Sequence, residues 1–243
     1  MRKVTGRAMA CYFLLQTTAT VCTVLIVYGT GRMLPASDFR GIALALTAVI
    51  AFYACTIAVY RAFLLFVPLQ EGPLTEGSSG EFTAHVHSLF FIIVFNSLVR
   101  TCFLSALPMR LVYLLLGARM GVNTYSVGAL LDPALTVLGR NVLVGHNAVL
   151  FAHAIEGRRF AMEKIVVGDN VTIGAHAIVM AGVTIGDGAL ISAGAVVPKG
   201  TRIGAGETWG GVPARCLKQE RLPVGTNATC EDATARACPG LAA

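Results

Sequence analysis

Charge is scarce in this chain of 243 residues: Asp, Glu, Lys and Arg together make up 13% of it. An ordinary soluble domain carries about a quarter of its residues as charges, and a mean hydropathy of +0.70 makes a wholly water-exposed globule untenable. The scarcity is greatest near the front. Ala8–Tyr28 and Gly41–Tyr60 contain no charged residue, and each carries about 30 Å of helix, enough to cross a bilayer core. The first stretch lacks a clear small-x-small cleavage site and has a second span behind it, which sets a cleaved signal peptide aside. Seven cysteines carry no nucleophile motif and read as reduced thiols. Nothing resembles a nucleic-acid reader; the net charge of +6, with arginines flanking the apolar stretches, fits membrane lipids with an anionic surface.

Orientation comes from the basic residues. Arg2, Lys3 and Arg7 precede the first span, against Arg32 and Arg40 in the loop after it, so the N-terminus belongs in the cytoplasm. Two crossings return the rest of the chain there. A third apolar run, His87–Leu107, is interrupted by Asn96, Ser97, Arg100 and Thr101 and reads as an interfacial or re-entrant helix. As a true span it would put everything downstream outside. Leu69–Glu81, rich in Gly, Pro, Ser and Glu, has linker chemistry. Pro108–Arg119 reads as a short amphipathic helix, lying on the membrane or capping the domain downstream of it.

What is abundant is a period. Val167, Ile173, Val179, Ile185, Ile191, Val197 and Ile203 fall six residues apart. Glycine comes next after four of them, at Gly168, Gly174, Gly186 and Gly204. Four places after each aliphatic except the last stands Val171, Ala177, Val183, Ala189, Ala195 or Thr201. Helices and flat strands have periods of about 3.6 and 2, whereas a parallel β-helix takes six residues per strand and turn, three such units closing a coil. Run backwards, the frame passes Leu150, Val144, Leu138, Asp132, Ser126 and Met120. It is weaker there, with Asp132 and Ser126 where aliphatics belong. Leu150 to Val167 is seventeen residues, no multiple of six, so the coil is interrupted and Glu156-Gly157-Arg158-Arg159 marks a projecting loop.

The stretch Val166–Lys218, closing on Gly211-Val212-Pro213-Ala214-Arg215, resembles the hexapeptide-repeat acyltransferases, which are built on a left-handed β-helix. The apolar helices and the Leu-Leu-Gly-Ala-Arg-Met-Gly sequence after them are similar to the C-terminal membrane modules of some peptide and poly-amino-acid synthetases. The resemblance implies acyl transfer from a coenzyme A thioester, with acetyl-CoA as co-substrate, and a homotrimer. It divides the chain into a two-span membrane anchor (1–68), a linker with interfacial helices (69–119), a left-handed β-helix (120–218) and a flexible tail (219–243).

His153 stands at the root of the projecting loop. In the family that the repeats resemble, a histidine on this loop is the general base, and an imidazole near pKa ~6.5 suits removal of a proton from an attacking hydroxyl or amine; the alternative is a structural histidine packing the loop. Glu156 either holds the ring in one tautomer or is an exposed loop carboxylate. His176 lies near the coil expected to bind the donor. The resemblance places Ala175 and Ala193 beside the pantetheine arm, Pro198-Lys199 at a Thr-Lys position suited to phosphate, and Arg215 and Lys218 near the 3′-phosphate. Proline in place of threonine removes a hydroxyl, and Tyr125 in place of asparagine means that the family's sugar specificity does not transfer. The γ-class carbonic anhydrases share the architecture but need two histidines five residues apart; His146 and His153 are seven apart, so no metal is expected. The reading is a membrane-anchored O- or N-acetyltransferase on the inner membrane, its catalytic domain facing the cytoplasm. Its acceptor is a membrane-associated small molecule or glycan, a lipid-linked sugar or a peptidyl product. The alternative is a non-catalytic β-helix that trimerises or scaffolds a membrane complex.

Overall fold

The computed structural model describes residues 4–35, 38–100, 105–157 and 159–219; the expected flexible tail therefore lies, but for Gln219, outside the described residues. The chain forms two compact units. Among the described residues, one joins Glu71–Thr75 to those from Ile93 onward; the other holds those up to Gln70 and from Glu76 to Ile92.

The helical unit begins with α1 (Gly6–Met33) and α2 (Arg40–Phe66), which contain the two expected spans. α2 runs back along α1: Arg40 Nη2 donates to the Gly31 carbonyl at 2.5 Å and Gln16 Nε2 to Thr56 Oγ1 at 3.5 Å. Phe13, Leu14, Val24 and Leu25 on α1 and Ile42, Leu46, Val49 and Ile50 on α2 are exposed. α3 (Ser79–Phe90) starts on a reciprocal cap, in which Ser78 Oγ accepts from the Glu81 N–H at 3.1 Å and Glu81 Oε2 accepts from the Gly77 N–H at 2.6 Å. Tyr12 meets Phe90 edge to face at 5.0 Å, and the Tyr60 hydroxyl lies 2.7 Å from His87 Nδ1. A widened turn, Phe91–Phe95, carries the helix on into α4 (Asn96–Arg100). By length and composition all three helical stretches could cross a membrane, but 56% of the apolar window in Ser79–Arg100 is buried, against 17% in each of the others. Most of that third surface is covered by protein rather than left for lipid.

In the repeat unit the period of six becomes three parallel sheets visited in rotation, one side of each coil at a time. The first side holds 119–120, 136–138, 165–167, 184–185 and 202–203; the second 125–126, 143–144, 172–173, 190–191 and 207–210; the third 129–130, 149–150, 178–179 and 196–197. Strands one coil apart pair in register, Ile173 with Val144 and Ile191, for example. All seven periodic aliphatics are at most 4% exposed, and the small residues four places on are at most 1% exposed, so both halves of the pattern point inward. The place directly after the aliphatic is tighter still. A Cβ on Gly174 would lie 2.4 Å from the Ala193 amide nitrogen in the next coil.

The corners need a left-handed residue. Asn123, Asn141 and Asn170 supply it with φ of 55–56°, the region asparagine enters at least cost among residues bearing a Cβ. Their amides form a ladder, Asn123 Nδ2 to Asn141 Oδ1 at 2.9 Å and Asn141 Nδ2 to Asn170 Oδ1 at 3.0 Å. The core is closed at the far end by Trp209, whose Nε1 donates to Glu207 Oε2 at 2.8 Å. At the near end α5 (Ala106–Leu116) buries Met109, Tyr113 and Leu116, with the Tyr113 hydroxyl donating to the Gly128 carbonyl at 2.8 Å. The amphipathic helix expected at 108–119 is thus a cap on the coils, and its Leu107, Leu111 and Leu115 stay exposed.

Two sequence expectations are corrected. The segment 69–81 is more than a linker: Gly72–Leu74 is a strand that pairs antiparallel with the projecting loop, Gly72 opposite Met162 and Leu74 opposite Phe160. In the first coil the inward residue of the third side is Leu130, fully buried, not Asp132. That coil makes its turn early and spends the extra residues on Asp132 and a short 3₁₀ turn, Pro133–Leu135.

Candidate active site

Where the period breaks, the chain leaves the coil as an antiparallel hairpin, His153–Glu156 against Arg159–Met162, with Gly157 at φ +58° in its turn. A glycine there carries no Cβ penalty. Gly72–Leu74 adds the third strand of this small sheet, and an ion pair from Lys164 Nζ to Glu71 Oε1 at 2.5 Å anchors the same junction.

His153 opens the hairpin beside a buried carboxylate. Asp132 Oδ2 accepts from His153 Nδ1 at 2.7 Å, from the Ala152 N–H at 2.7 Å and from the His153 N–H at 3.2 Å. Asp132 is only 2% exposed; three donors converging on it compensate its removal from water. With Nδ1 committed to the carboxylate, Nε2 is the ring atom left to accept a proton. Burial pushes the His153 imidazole down, while the hydrogen bond and charge of Asp132 push it up by more, so it titrates above the ordinary histidine range.

His153 lines a cavity of about 290 Å³ together with Phe151, Ile155, Glu156, Met180 and Lys199. Glu156 turns away from the role of ring partner. Its Oε2 is 2.5 Å from Lys199 Nζ, and both side chains are about half exposed, a pair worth little to stability. The structure therefore brings together His153, Glu156 and Lys199, with Pro198 next to the lysine.

The other sequence candidates sit elsewhere on the coils. Ala175 and Ala193 occupy the opposite corner of the third side, one coil apart, with the Gly194 N–H donating to the Ala175 carbonyl at 2.9 Å. Arg215 and Lys218 lie on a strand, Arg215–Gln219, that folds back antiparallel on the last coil, Gly210 opposite Arg215 and Thr208 opposite Lys218. Cys216 between them is disulfide-bonded, which corrects the expectation of reduced thiols at that position. Among the described residues no three His, Cys, Asp or Glu side chains cluster as metal ligands would. Asp132 is the site residue that sequence reasoning missed. Its one signal was an acid standing in an aliphatic frame, where it looked like a weakness of the repeat.

Comparison with known proteins agrees on the repeats. Residues 164–199 match the family described as bacterial transferase hexapeptide (six repeats). Over 84 residues, 35% of this chain, the sequence is 38% identical to the mitochondrial gamma carbonic anhydrase 1 of Arabidopsis thaliana, of which it spans 26%. Among solved structures, a hexapeptide-repeat-containing acetyltransferase of Vibrio cholerae complexed with acetyl coenzyme A is 29% identical, the match covering 44% of this chain and 62% of that one at a TM-score of 0.40. A galactoside acetyltransferase in complex with coenzyme A is 22% identical, covering 60% and 86% of the two chains at a TM-score of 0.45.

Proposed function

We propose that this chain is a membrane-anchored acyltransferase that moves an acetyl group from acetyl-CoA to a hydroxyl or amine of a membrane-associated glycan, lipid-linked sugar or peptidyl acceptor. The observation that carries the reading is the Asp132–His153 pair opening onto a cavity that also holds Lys199. Asp132 holds the ring so that Nε2 faces the reaction. His153 takes the acceptor's proton as its oxygen or nitrogen attacks the thioester carbonyl. The carbon–sulfur bond then breaks, and the imidazolium returns the proton to the departing CoA thiolate. Lys199 has the charge and the corner position for a donor phosphate, and Glu156 holds it until the donor arrives. Ala175, Ala193, Pro198, Arg215 and Lys218 complete the donor path in a trimer of left-handed β-helices, in which coils of neighbouring copies meet.

Chain tracing supports a two-span anchor. Glu71–Thr75 and the described residues from Ile93 onward belong to one compact unit. Only 79–92 of the third apolar helix lies outside that unit, about 21 Å of helix against the ~30 Å of a bilayer core. A soluble unit whose strands stand both before and after this segment stays on one side, the side of the N-terminus, and three basic residues ahead of the first apolar stretch, Arg2, Lys3 and Arg7, favour the cytoplasm for that side. The disulfide at Cys216 argues the other way, since such bonds belong to oxidising compartments. Reporter fusions separate the two: after Ala36 an externally active reporter should score, and after Lys218 a cytoplasmic one. An external score after Lys218 would strand the site from CoA thioesters and leave the repeats as a scaffold.

Donor binding tests the chemistry directly. The full chain in detergent should bind acetyl-CoA by calorimetry. Lys199→Ala should weaken that binding about tenfold, the scale of one lost charge-assisted hydrogen bond, while Glu156→Gln, which releases the lysine, should bind at least as tightly as wild type. A wild-type chain that takes up no acetyl-CoA would sink the enzymatic reading in favour of the non-catalytic scaffold.

A further inference from the structure

A second cavity lies on the other edge of the third side, at the corner where the coils turn from the second side to the third. It holds about 310 Å³ and is lined by Val99, Arg100, Val127, Asn147, Val149 and His176, among others. Among the described residues that line it, none is acidic. The cavity draws on three successive coils and on α4, so it is assembled by the fold and not by one loop. Asn147 and His176 hold left-handed corners with φ of 55° and 57°, and the His176 N–H donates to the His146 carbonyl at 2.9 Å, which ties the backbones of the two corners together. Arg100 comes from the last turn of the helical path that begins at Ser79, and no ion pair among the described residues engages it.

The chemistry of the lining is amphiphilic: one guanidinium, one imidazole and one carboxamide set among valines. A guanidinium matches a phosphate in two-pronged geometry, and the valines suit the carbon chain attached to it. Location adds a second argument. The lining starts in the first coil, next to the end that α5 caps, and α5 keeps its Leu107, Leu111 and Leu115 exposed, an apolar stripe of the sort that lies against a membrane surface. Strand spacing of about 4.8 Å per coil keeps the cavity within the first few coils of that end.

We propose that this cavity binds the phosphate-bearing headgroup of an anionic amphiphile, separately from the His153 cavity across the third side. Its occupant is a phosphate ester on a lipid, in contrast to the free phosphate or the soluble donor.

The test uses the full chain in detergent, titrated calorimetrically with three probes: dihexanoyl phosphatidic acid, dihexanoyl phosphatidylcholine and inorganic phosphate. Phosphatidic acid should bind at least about tenfold more tightly than either of the others, and Arg100→Gln should lose about tenfold for that probe alone, as expected for one charge-assisted contact. His176→Asn, which keeps a residue tolerant of the left-handed corner, should weaken it in the same direction, and thermal unfolding of both variants should match wild type. His153→Ala should keep the headgroup binding whole, so a failure of the acyltransferase reading leaves this result standing. Equal binding of phosphatidic acid and phosphatidylcholine, equal binding of inorganic phosphate, or an Arg100→Gln protein that binds as wild type does would each overturn the proposal.

Discussion

The His153→Ala protein is expected to turn over about 10²–10⁴-fold more slowly than wild type, the usual worth of a general base. Its affinity for acetyl-CoA should change little, because the proposed role of the lost side chain is toward the acceptor's proton and Lys199 remains in place. Steady-state assays with an acceptor-containing membrane extract, paired with calorimetry of the donor, read the two quantities apart. Undiminished transfer by the alanine variant would remove His153 from the chemistry and leave it as a packing residue of the hairpin.

Asp132 has the second-largest expected effect and a distinct signature. Asp132→Asn keeps the shape and one acceptor oxygen but removes the charge that holds His153 above the ordinary histidine range. Since the base form exists only above that pKa, the acid limb of kcat/KM in wild type should lie above ~6.5, and in the asparagine variant it should move down in pH. Turnover on the plateau should fall about 10²-fold as the ring loses its preferred tautomer. A residue that only packs the hairpin would lower thermal stability without moving the limb, so an unmoved limb refutes the positioning role. Asp132→Ala is the harsher change. It leaves the Ala152 and His153 N–H groups facing an apolar space, at about 1–3 kcal/mol for each unsatisfied donor.

The repeat was legible because its constraint is local and recurs. Every coil needs an inward aliphatic and a small corner residue, so Val167 to Ile203 repeat the same solution until Trp209 ends it. The hairpin announced itself as a fault in the period, and with it came His153 at its root. Two things did not show. The strand Gly72–Leu74 is three residues long, includes a proline, and pairs with a partner more than eighty residues downstream, so no alternation of its own could reveal it. Asp132 stood in the frame as an error, and the displacement of the inward place to Leu130 depends on how the first coil turns under α5, a tertiary effect that a periodic template cannot carry. Glu156 had the correct chemistry for an imidazole partner and the wrong address, because hairpin pairing sets it opposite Arg159 and sends its carboxylate to Lys199.

The strand at 72–74 also determines how this molecule can be divided. A fragment beginning at Ile93 would hold every coil of the repeat domain and resemble a convenient soluble enzyme. It would nonetheless bare the edge of the hairpin from Phe160 to Met162, a row of unpaired N–H and C=O groups of the kind that recruits other chains, on the sheet that carries His153. The hairpin that carries His153 thus depends on three residues that a deletion map would discard as spacer, and a fragment that keeps this sheet whole has to begin ahead of Glu71.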